Sequence, residues 1–163
     1  LRLAVPYTGM IISTRERAAV REKAFAVGIS QTSAASRTSP GGYGKKENLE
    51  QFKTADQRSV SELIISSLKK NILPSFCTAC YRTGRTGRAF MEIARPGNIH
   101  NFCRPNALLT FKEYLEDYAS NEEKELGEKV MQKYLLQIPD EKIMETTKKR
   151  LKRIEGGARD IYF

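Results

Sequence analysis

Between residues 75 and 87 the chain reads Ser75-Phe-Cys-Thr-Ala-Cys-Tyr-Arg-Thr-Gly-Arg-Thr-Gly87, and this stretch separates two parts of different character. Before it, short apolar runs alternate with helix-forming segments, whereas after it the patterns are helical almost throughout. Pro74 comes just before it and interrupts the apolar pattern that reaches Ile72. We therefore predict an α/β part over residues 1–71 and a mainly helical part over residues 72–163.

The first part predicts two βα units. Residues 9–13 form a short apolar run, and residues 16–27 are rich in helix-forming Ala, Arg, Glu and Lys. Residues 29–33 predict a second strand, and the capping box Ser59-x-x-Glu62 begins a second helix. Two parallel strands need neighbours at their edges and helices on both faces. The simplest completion is a (β/α)8 barrel of TIM type, of which these are the last βα units, its other strands lying upstream of Leu1.

The second part predicts further helices. Pro105 fits the first turn of one of them. Ser120-x-x-Glu123 is a capping box for the next, and Pro139-Asp140 opens a last, Lys-rich helix. The apolar stripe of the first of these helices comprises Leu108, Phe111, Leu115 and Tyr118.

Composition narrows the class of protein. With 40% hydrophobic residues the chain is neither disordered nor collagen-like, and no run approaches the roughly 18 apolar residues of a membrane helix. No secretory signal is present, so we expect a cytoplasmic location and no membrane partner. The net charge of +9 favours anionic partners. No aromatic residues accompany the basic run at residues 148–153, however, so we predict no nucleic-acid platform there.

The three cysteines are the candidate metal ligands. Cys77, Cys80 and Cys103 form a C-x2-C-x22-C pattern, and the two-residue spacing lets the first pair of thiolates face one centre. On a four-iron cluster three thiolates leave one iron open to another ligand. His100 lies three residues before Cys103, so Cys77, Cys80, His100 and Cys103 also form a Cys3His set that could bind zinc tetrahedrally. Plain buried cysteines are the third interpretation, and the spacing alone leaves all three open.

Arginines surround this pattern. Between residues 77 and 105 the charges are five arginines and one acidic residue, Glu92. We predict that Arg82, Arg85 and Arg88, which interleave with the cysteines, support an anionic cluster. A solvated basic loop is the alternative interpretation of the same residues.

The cysteine block, residues 101–114 and residues 159–163 resemble the C-terminal portion of the HydG family. These proteins are radical SAM tyrosine lyases that mature iron-only hydrogenase. Residues 13–16 and 31–43 resemble the end of the barrel that HydG shares with the thiazole-pathway tyrosine lyase ThiH, a 2-iminoacetate synthase. The resemblance implies that a barrel lies upstream of Leu1 and that Phe163 is the natural C-terminus.

The resemblance also implies an activity and its cofactors. An upstream C-x3-C-x2-C cluster would cleave S-adenosylmethionine, and the radical would break tyrosine into p-cresol and dehydroglycine. Carbon monoxide and cyanide would then form at an auxiliary 4Fe–4S cluster, whose ligands match Cys77, Cys80 and Cys103 and which can carry an extra iron. No C-x3-C-x2-C occurs in this chain, so we expect no cleavage of S-adenosylmethionine by it alone.

Substrate and partner predictions follow from the same resemblance. Arg15, at the end of a barrel strand, is a candidate clamp for the tyrosine carboxylate. Thr32, Ser33 and Ser36 lie in the loop from residue 33 to residue 43 and its preceding strand, at the expected catalytic rim, and are candidates for binding the amino acid or S-adenosylmethionine. The small molecules implied are tyrosine, S-adenosylmethionine and cysteine, and the protein partners are other hydrogenase maturases. The alternatives are a ThiH-like lyase and a zinc module that binds nucleic acid or protein.

Overall fold

The computed structural model describes residues 1–40 and 52–163, which form two compact units, Leu1–Leu63 and Ile64–Phe163. The division falls within a helix, α2, that spans Val60–Lys69. The boundary predicted from sequence, after residue 71, lies just beyond the end of this helix. The last residues of the loop that we expected at the rim, Gly41 to Tyr43, lie outside the described residues.

The first unit contains a short parallel sheet. Its elements are β1 (Ile11–Ile12), α1 (Ala18–Ala26) and β2 (Gln31–Thr32). The strands pair in parallel, with Ile11 opposite Gln31 and Ile12 opposite Thr32. The predicted order of strand, helix and parallel strand is therefore confirmed, while both strands are shorter than the apolar runs suggested. Gly28 follows the helix with a φ of +100°, a backbone conformation that residues other than glycine rarely adopt.

The interior of the first unit is polar. Arg21 is the buried residue of α1, and its guanidinium donates to the carboxylate of Asp56, to Thr32 Oγ1 and to the carbonyl oxygen of Ser33. Arg58 Nη2 lies 2.7 Å from the same carboxylate of Asp56. Because a buried charge is costly unless it is paired, this network is an important part of what holds α1 to the loop before α2.

The second unit is helical. Its elements are α3 (Ala79–Arg82), α4 (Gly87–Ala94), α5 (His100–Asp117), α6 (Asn121–Leu136) and α7 (Glu141–Glu155). Helix α5 packs against α6 and α7. The buried core comprises Ile64, Leu68, Leu73, Leu108, Phe111, Leu115, Val130, Met131 and Ile138. The helical character predicted for residues 72–163 is thus confirmed.

Helix starts agree with the predicted capping residues in three cases. Ser59 and Glu62 form a reciprocal capping box at the start of α2, as do Ser120 and Glu123 at the start of α6. Asp140 caps α7 by accepting a hydrogen bond from the backbone N–H of Ile143 at 3.0 Å.

The start of α5 differs from the prediction. The helix begins at His100, so Pro105 lies inside it and not in its first turn. Because proline has no N–H, the carbonyl of Asn101 lacks the hydrogen bond that the residue four positions later normally donates. The apolar stripe is confirmed at Leu108, Phe111 and Leu115, which are buried, but Tyr118 caps the helix end and is 79% exposed. Within the described residues no helix is both long and apolar enough to cross a membrane.

Candidate metal centre

The cysteines lie in or next to two helices of the second unit. Cys77 precedes α3 and Cys80 lies within it, while Cys103 is in the first turn of α5. Cys77 and Cys80 are partly buried, Cys103 is exposed, and all three are free thiols. The loop before α3, α3 itself and the first turn of α5 therefore carry the three sulfurs.

Backbone groups order the loop around the first two cysteines. The N–H of Ala79 donates to Cys77 Sγ at 3.4 Å, a contact that stabilises the negative charge of a thiolate. The N–H of Arg85 donates to the carbonyl oxygen of Cys80 at 2.8 Å, and the turn between them includes Gly84 with a φ of +70°. The loop thus folds back on α3 through a glycine conformation.

Charge links the third cysteine to the other two. Although the Cys103 residue is exposed as a whole, partial desolvation of its thiol raises the pKa, and negative charge on Cys80 and Cys77 raises it further. The guanidinium of Arg85 acts in the opposite direction and lowers it. Cys103 is therefore close enough to Cys77, Cys80 and Arg85 for their charges to act on its thiol.

The three thiols are a suitable donor set but not a finished site. Among residues 1–40 and 52–163, no group of three or more His, Cys, Asp or Glu side chains is arranged to hold a metal ion. Soft thiolates on neighbouring elements, with an N–H donor and a cation beside them, fit the chemistry of an iron–sulfur cluster. His100, the other candidate ligand, is exposed at the first residue of α5.

The arginines predicted to support the centre have different partners. Arg82 forms a bidentate ion pair with Asp160, with one N–O distance of 2.6 Å. Arg85 donates to the backbone oxygen of Phe163 at 2.6 Å, and its guanidinium carbon lies 4.6 Å from the centre of the Phe102 ring. The side chain of Arg88 is 93% exposed and pairs with Glu92 on its own helix at 2.8 Å. Of these three arginines, Arg85 is the one whose charge lowers the pKa of Cys103.

Residues 159–163, here called the 159–163 segment, are a feature that the sequence patterns did not single out as part of the site. Arg82 and Arg85 both bind it, and it lines a cavity of about 470 Å³ beside Cys77. The segment has two charged residues, Arg159 and Asp160, followed by Ile161 and two aromatic residues, and no spacing rule connects it to the cysteines. The cavity is lined by Phe76, Cys77, Thr78, Ala79, Arg82, Thr110, Glu113, Tyr114, Asp117, Tyr118, Arg159, Asp160, Ile161 and Tyr162.

The candidate substrate residues of the first unit fall into two groups. Arg15 and Ser36 line one cavity of about 450 Å³ together with Arg37, and the Arg15 guanidinium lies 4.1 Å from the centre of the Phe52 ring. Thr32 and Ser33 instead accept hydrogen bonds from buried Arg21. The structure therefore brings Arg15 and Ser36 together and gives Thr32 and Ser33 contacts within the fold.

Two comparisons with known proteins match the chain. The family model described as the Biotin and Thiamin Synthesis associated domain matches residues 1–71. No curated protein matches the chain. A crystal structure described as HydG, a maturase of the FeFe-hydrogenase, is 53% identical and covers 99% of this chain with a TM-score of 0.93.

A second solved structure agrees with the first. The FeFe-hydrogenase maturase HydG from Carboxydothermus hydrogenoformans is 36% identical over 92% of this chain, with a TM-score of 0.64. The chain spans 35% and 31% of the lengths of these two proteins. The similarity extends through both units and not only through the matched domain.

Proposed function

Since this chain belongs to the HydG family of hydrogenase maturases, we propose that it is the auxiliary-cluster part of a radical SAM tyrosine lyase. Its first unit would supply the last βα units of the (β/α)8 barrel, and its second unit would hold the auxiliary 4Fe–4S cluster. The complete protein would cleave tyrosine to p-cresol and dehydroglycine and make carbon monoxide and cyanide for an iron carbonyl cyanide precursor. S-Adenosylmethionine and its own 4Fe–4S cluster would be bound by the rest of the barrel.

One observation carries the proposal. The pattern of Cys77, Cys80 and Cys103 lies in a region where the chain is 53% identical to a HydG structure over nearly its full length. A ThiH-like lyase would account for the domain matched at residues 1–71 but not for the second unit with its three thiols. The similarity therefore favours HydG over the thiazole-pathway enzyme.

The residues of the second unit have distinct tasks in this proposal. Cys77, Cys80 and Cys103 would hold the cluster, which when bound supplies an iron atom with an open position for a small ligand. The N–H of Ala79 stabilises the thiolate of Cys77, and Arg85 offsets the negative charge that accumulates where the thiolates meet. Iron would bind the three cysteines as thiolates, so its binding would release their protons.

In the first unit, Arg15 and Ser36 support binding of an amino acid. The guanidinium of Arg15 is exposed to a cavity and can form a paired contact with a carboxylate. Arg37 on the same cavity adds a second positive charge, so the cavity favours anionic groups. Thr32 and Ser33 would act through Arg21, which they hold in place, and not on the substrate directly.

Anaerobic reconstitution of the chain with iron and sulfide tests the proposal. We expect a brown protein with four irons and four sulfides per chain and, after reduction, an electron paramagnetic resonance signal that Cys103→Ala abolishes. Glu125→Gln, which changes an exposed side chain on α6, is the control. A colourless protein that binds one zinc per chain through the same cysteines would instead establish the Cys3His module and reject the proposal.

A further inference from the structure

We propose that the 159–163 segment is a strap that fixes the separation between the Cys77–Cys80 loop and the Cys103 end of α5. By holding these two elements together, the strap would determine how firmly the chain retains a centre bound by all three cysteines. The identity of that centre rests on the proposed function above, whereas the strap rests on contacts within the second unit.

The strap binds the Cys77–Cys80 loop through Asp160. Arg82, two residues after Cys80, donates through both terminal nitrogens to the two carboxylate oxygens of Asp160. The same guanidinium lies 4.7 Å from the centre of the Tyr162 ring. A bidentate pair of this kind fixes orientation as well as distance. The short helix α3, which carries Cys80, is therefore fastened to the strap.

The strap is hydrogen-bonded to α5 through Phe163. The N–H of Phe163 donates to Asn106 Oδ1 at 2.7 Å, and Asn106 Nδ2 donates back to the backbone oxygen of Phe163 at 3.3 Å. Asn106 is 1% exposed and lies one helical turn after Cys103. Arg85 donates to the same oxygen of Phe163 at 2.6 Å. One backbone oxygen thus joins the loop after Cys80 to the turn after Cys103.

The middle of the strap is anchored along α5. The N–H of Ile161 donates to Glu113 Oε1 at 3.2 Å, and Arg159 pairs with Asp117 at 2.6 Å. Because alternate residues of the segment, Arg159, Ile161 and Phe163, bind α5, the strap is held along this helix and is not a loose tail.

Helix α7 supports the same end of the strap. Arg150 donates to the carbonyl oxygen of Tyr162 at 3.0 Å, and its guanidinium lies 3.9 Å from the centre of the Phe163 ring. The strap is therefore fixed from α3, α5 and α7 together. Groups that orient metal ligands without touching the metal affect affinity strongly, because a preorganised donor set loses less entropy on binding.

The variant Asp160→Asn distinguishes a positioning role of the strap from an effect of the Asp160 charge on the cluster. Asp160 has a φ of 62°, which asparagine tolerates as well as aspartate, so the variant keeps the backbone and loses only the ion pair. On charge alone, removing a negative group near an anionic cluster would slow its loss. The strap predicts that the reconstituted variant releases iron to a chelator about tenfold faster than the wild type.

Two further variants complete the comparison. Arg82→Lys keeps the positive charge but loses the bidentate pair, and it too should release iron faster. Glu125→Gln changes an acid to an amide on the exposed side of α6, and should release iron at the wild-type rate. Unchanged helical circular dichroism would show that the variants fold. If Asp160→Asn released iron at or below the wild-type rate, the proposed role of the strap would be wrong.

A metal-free measurement tests the strap independently. In the apo chain, a bifunctional thiol reagent should cross-link Cys103 to Cys77 or Cys80, and the yield should fall at least about twofold in a chain that ends at Ala158. An equal cross-linking yield in the two chains would show that the segment does not hold the cysteines at a fixed separation. If the wild-type chain takes up no iron, the proposed function fails, and the cross-linking yield alone then decides whether the strap exists.

Discussion

Arg21 and Asp56 form an ion pair in the interior of the first unit, and both side chains are 1% exposed. The pair joins α1 to the loop before α2 across 35 positions of sequence. Arg58 holds the same carboxylate, and together these contacts hold the pKa of Asp56 at about 2, below its ordinary 3.8. The unit therefore depends on the ionised form of one carboxyl group.

Asp56→Asn should destabilise the first unit. Because the pKa of Asp56 is lowered on folding, its contribution is complete above about pH 4 and is lost as the pH falls towards 2. The lowered pKa corresponds to about 2 kcal/mol at neutral pH. Hydrogen exchange resolved by mass spectrometry should show faster exchange in α1 for the variant at pH 7 and little difference near pH 2. Glu16→Gln, an exposed acid, is the control, and equal exchange in the two variants would contradict the prediction.

Lys112 holds three helices together. Its ammonium lies 3.0, 2.5 and 3.1 Å from the carboxylates of Glu116, Glu128 and Glu155, on α5, α6 and α7. Burial alone would lower the pKa of Lys112, but hydrogen bonds to these carboxylates raise it above its ordinary 10.5. Lys112→Met should cost about 2 kcal/mol in urea unfolding, less than a fully buried pair because the carboxylates are partly exposed.

The pH dependence of the same contact has a fixed sign. Because the pKa of Lys112 is raised on folding, its stabilisation is complete below about pH 10 and declines as the pH rises through the folded value. The wild type should therefore lose stability in strong alkali more steeply than Lys112→Met. Parallel alkaline curves for the two proteins would contradict this assignment.

Gly127 allows α6 to approach α5 closely. A Cβ atom there would lie 2.9 Å from Leu115 Cδ1 and 3.0 Å from Phe111 Cε1, and both of these side chains are buried. Gly127→Ala gains about 1 kcal/mol of helix propensity but overpacks the core, and we expect a net loss of about 1 kcal/mol in thermal or urea unfolding. Adding Leu115→Ala should give a combined loss smaller than the sum of the two single losses. Strict additivity would contradict the proposed clash.

The features of the fold that could be predicted are those that depend on residues close together in the sequence. Capping residues such as Ser59, Ser120 and Asp140 act through their immediate neighbours, so their positions identified helix starts correctly. The prediction that Pro105 lies in the first turn of α5 was wrong. Proline is favoured in a first turn, but this helix begins at His100 and contains the proline. Local rules could not find the pair of Arg21 and Asp56, since it depends on two segments meeting in space.

The same division applies to the candidate site. The spacing of Cys77 and Cys80 is a local pattern, and the arginines between the cysteines were visible in the sequence. The partners of Arg82 and Arg85 were not, because Asp160 and Phe163 lie 78 positions away in each case. No periodicity carries information over that separation, so the role of the 159–163 segment required the structure.

Arg85 should influence the electronic properties of the centre. It is the cation that acts on Cys103, so Arg85→Gln should shift the reduction potential of the reconstituted cluster to more negative values. Arg104→Gln removes a charge next to Cys103 in sequence, but Arg104 points to the carbonyl oxygen of Gln137 and should change the potential less. Redox titration followed by electron paramagnetic resonance measures both. Equal shifts in the two variants would show that Arg85 has no special position.

Native mass spectrometry of the anaerobically reconstituted chain tests the central claim most directly, because it weighs the bound inorganic group without assuming its colour or spin. We predict a mass increase equal to one 4Fe–4S unit per chain, absent from variants lacking any one of Cys77, Cys80 and Cys103. A mass increase of a single zinc ion, or a cluster that persists without Cys103, would contradict the account.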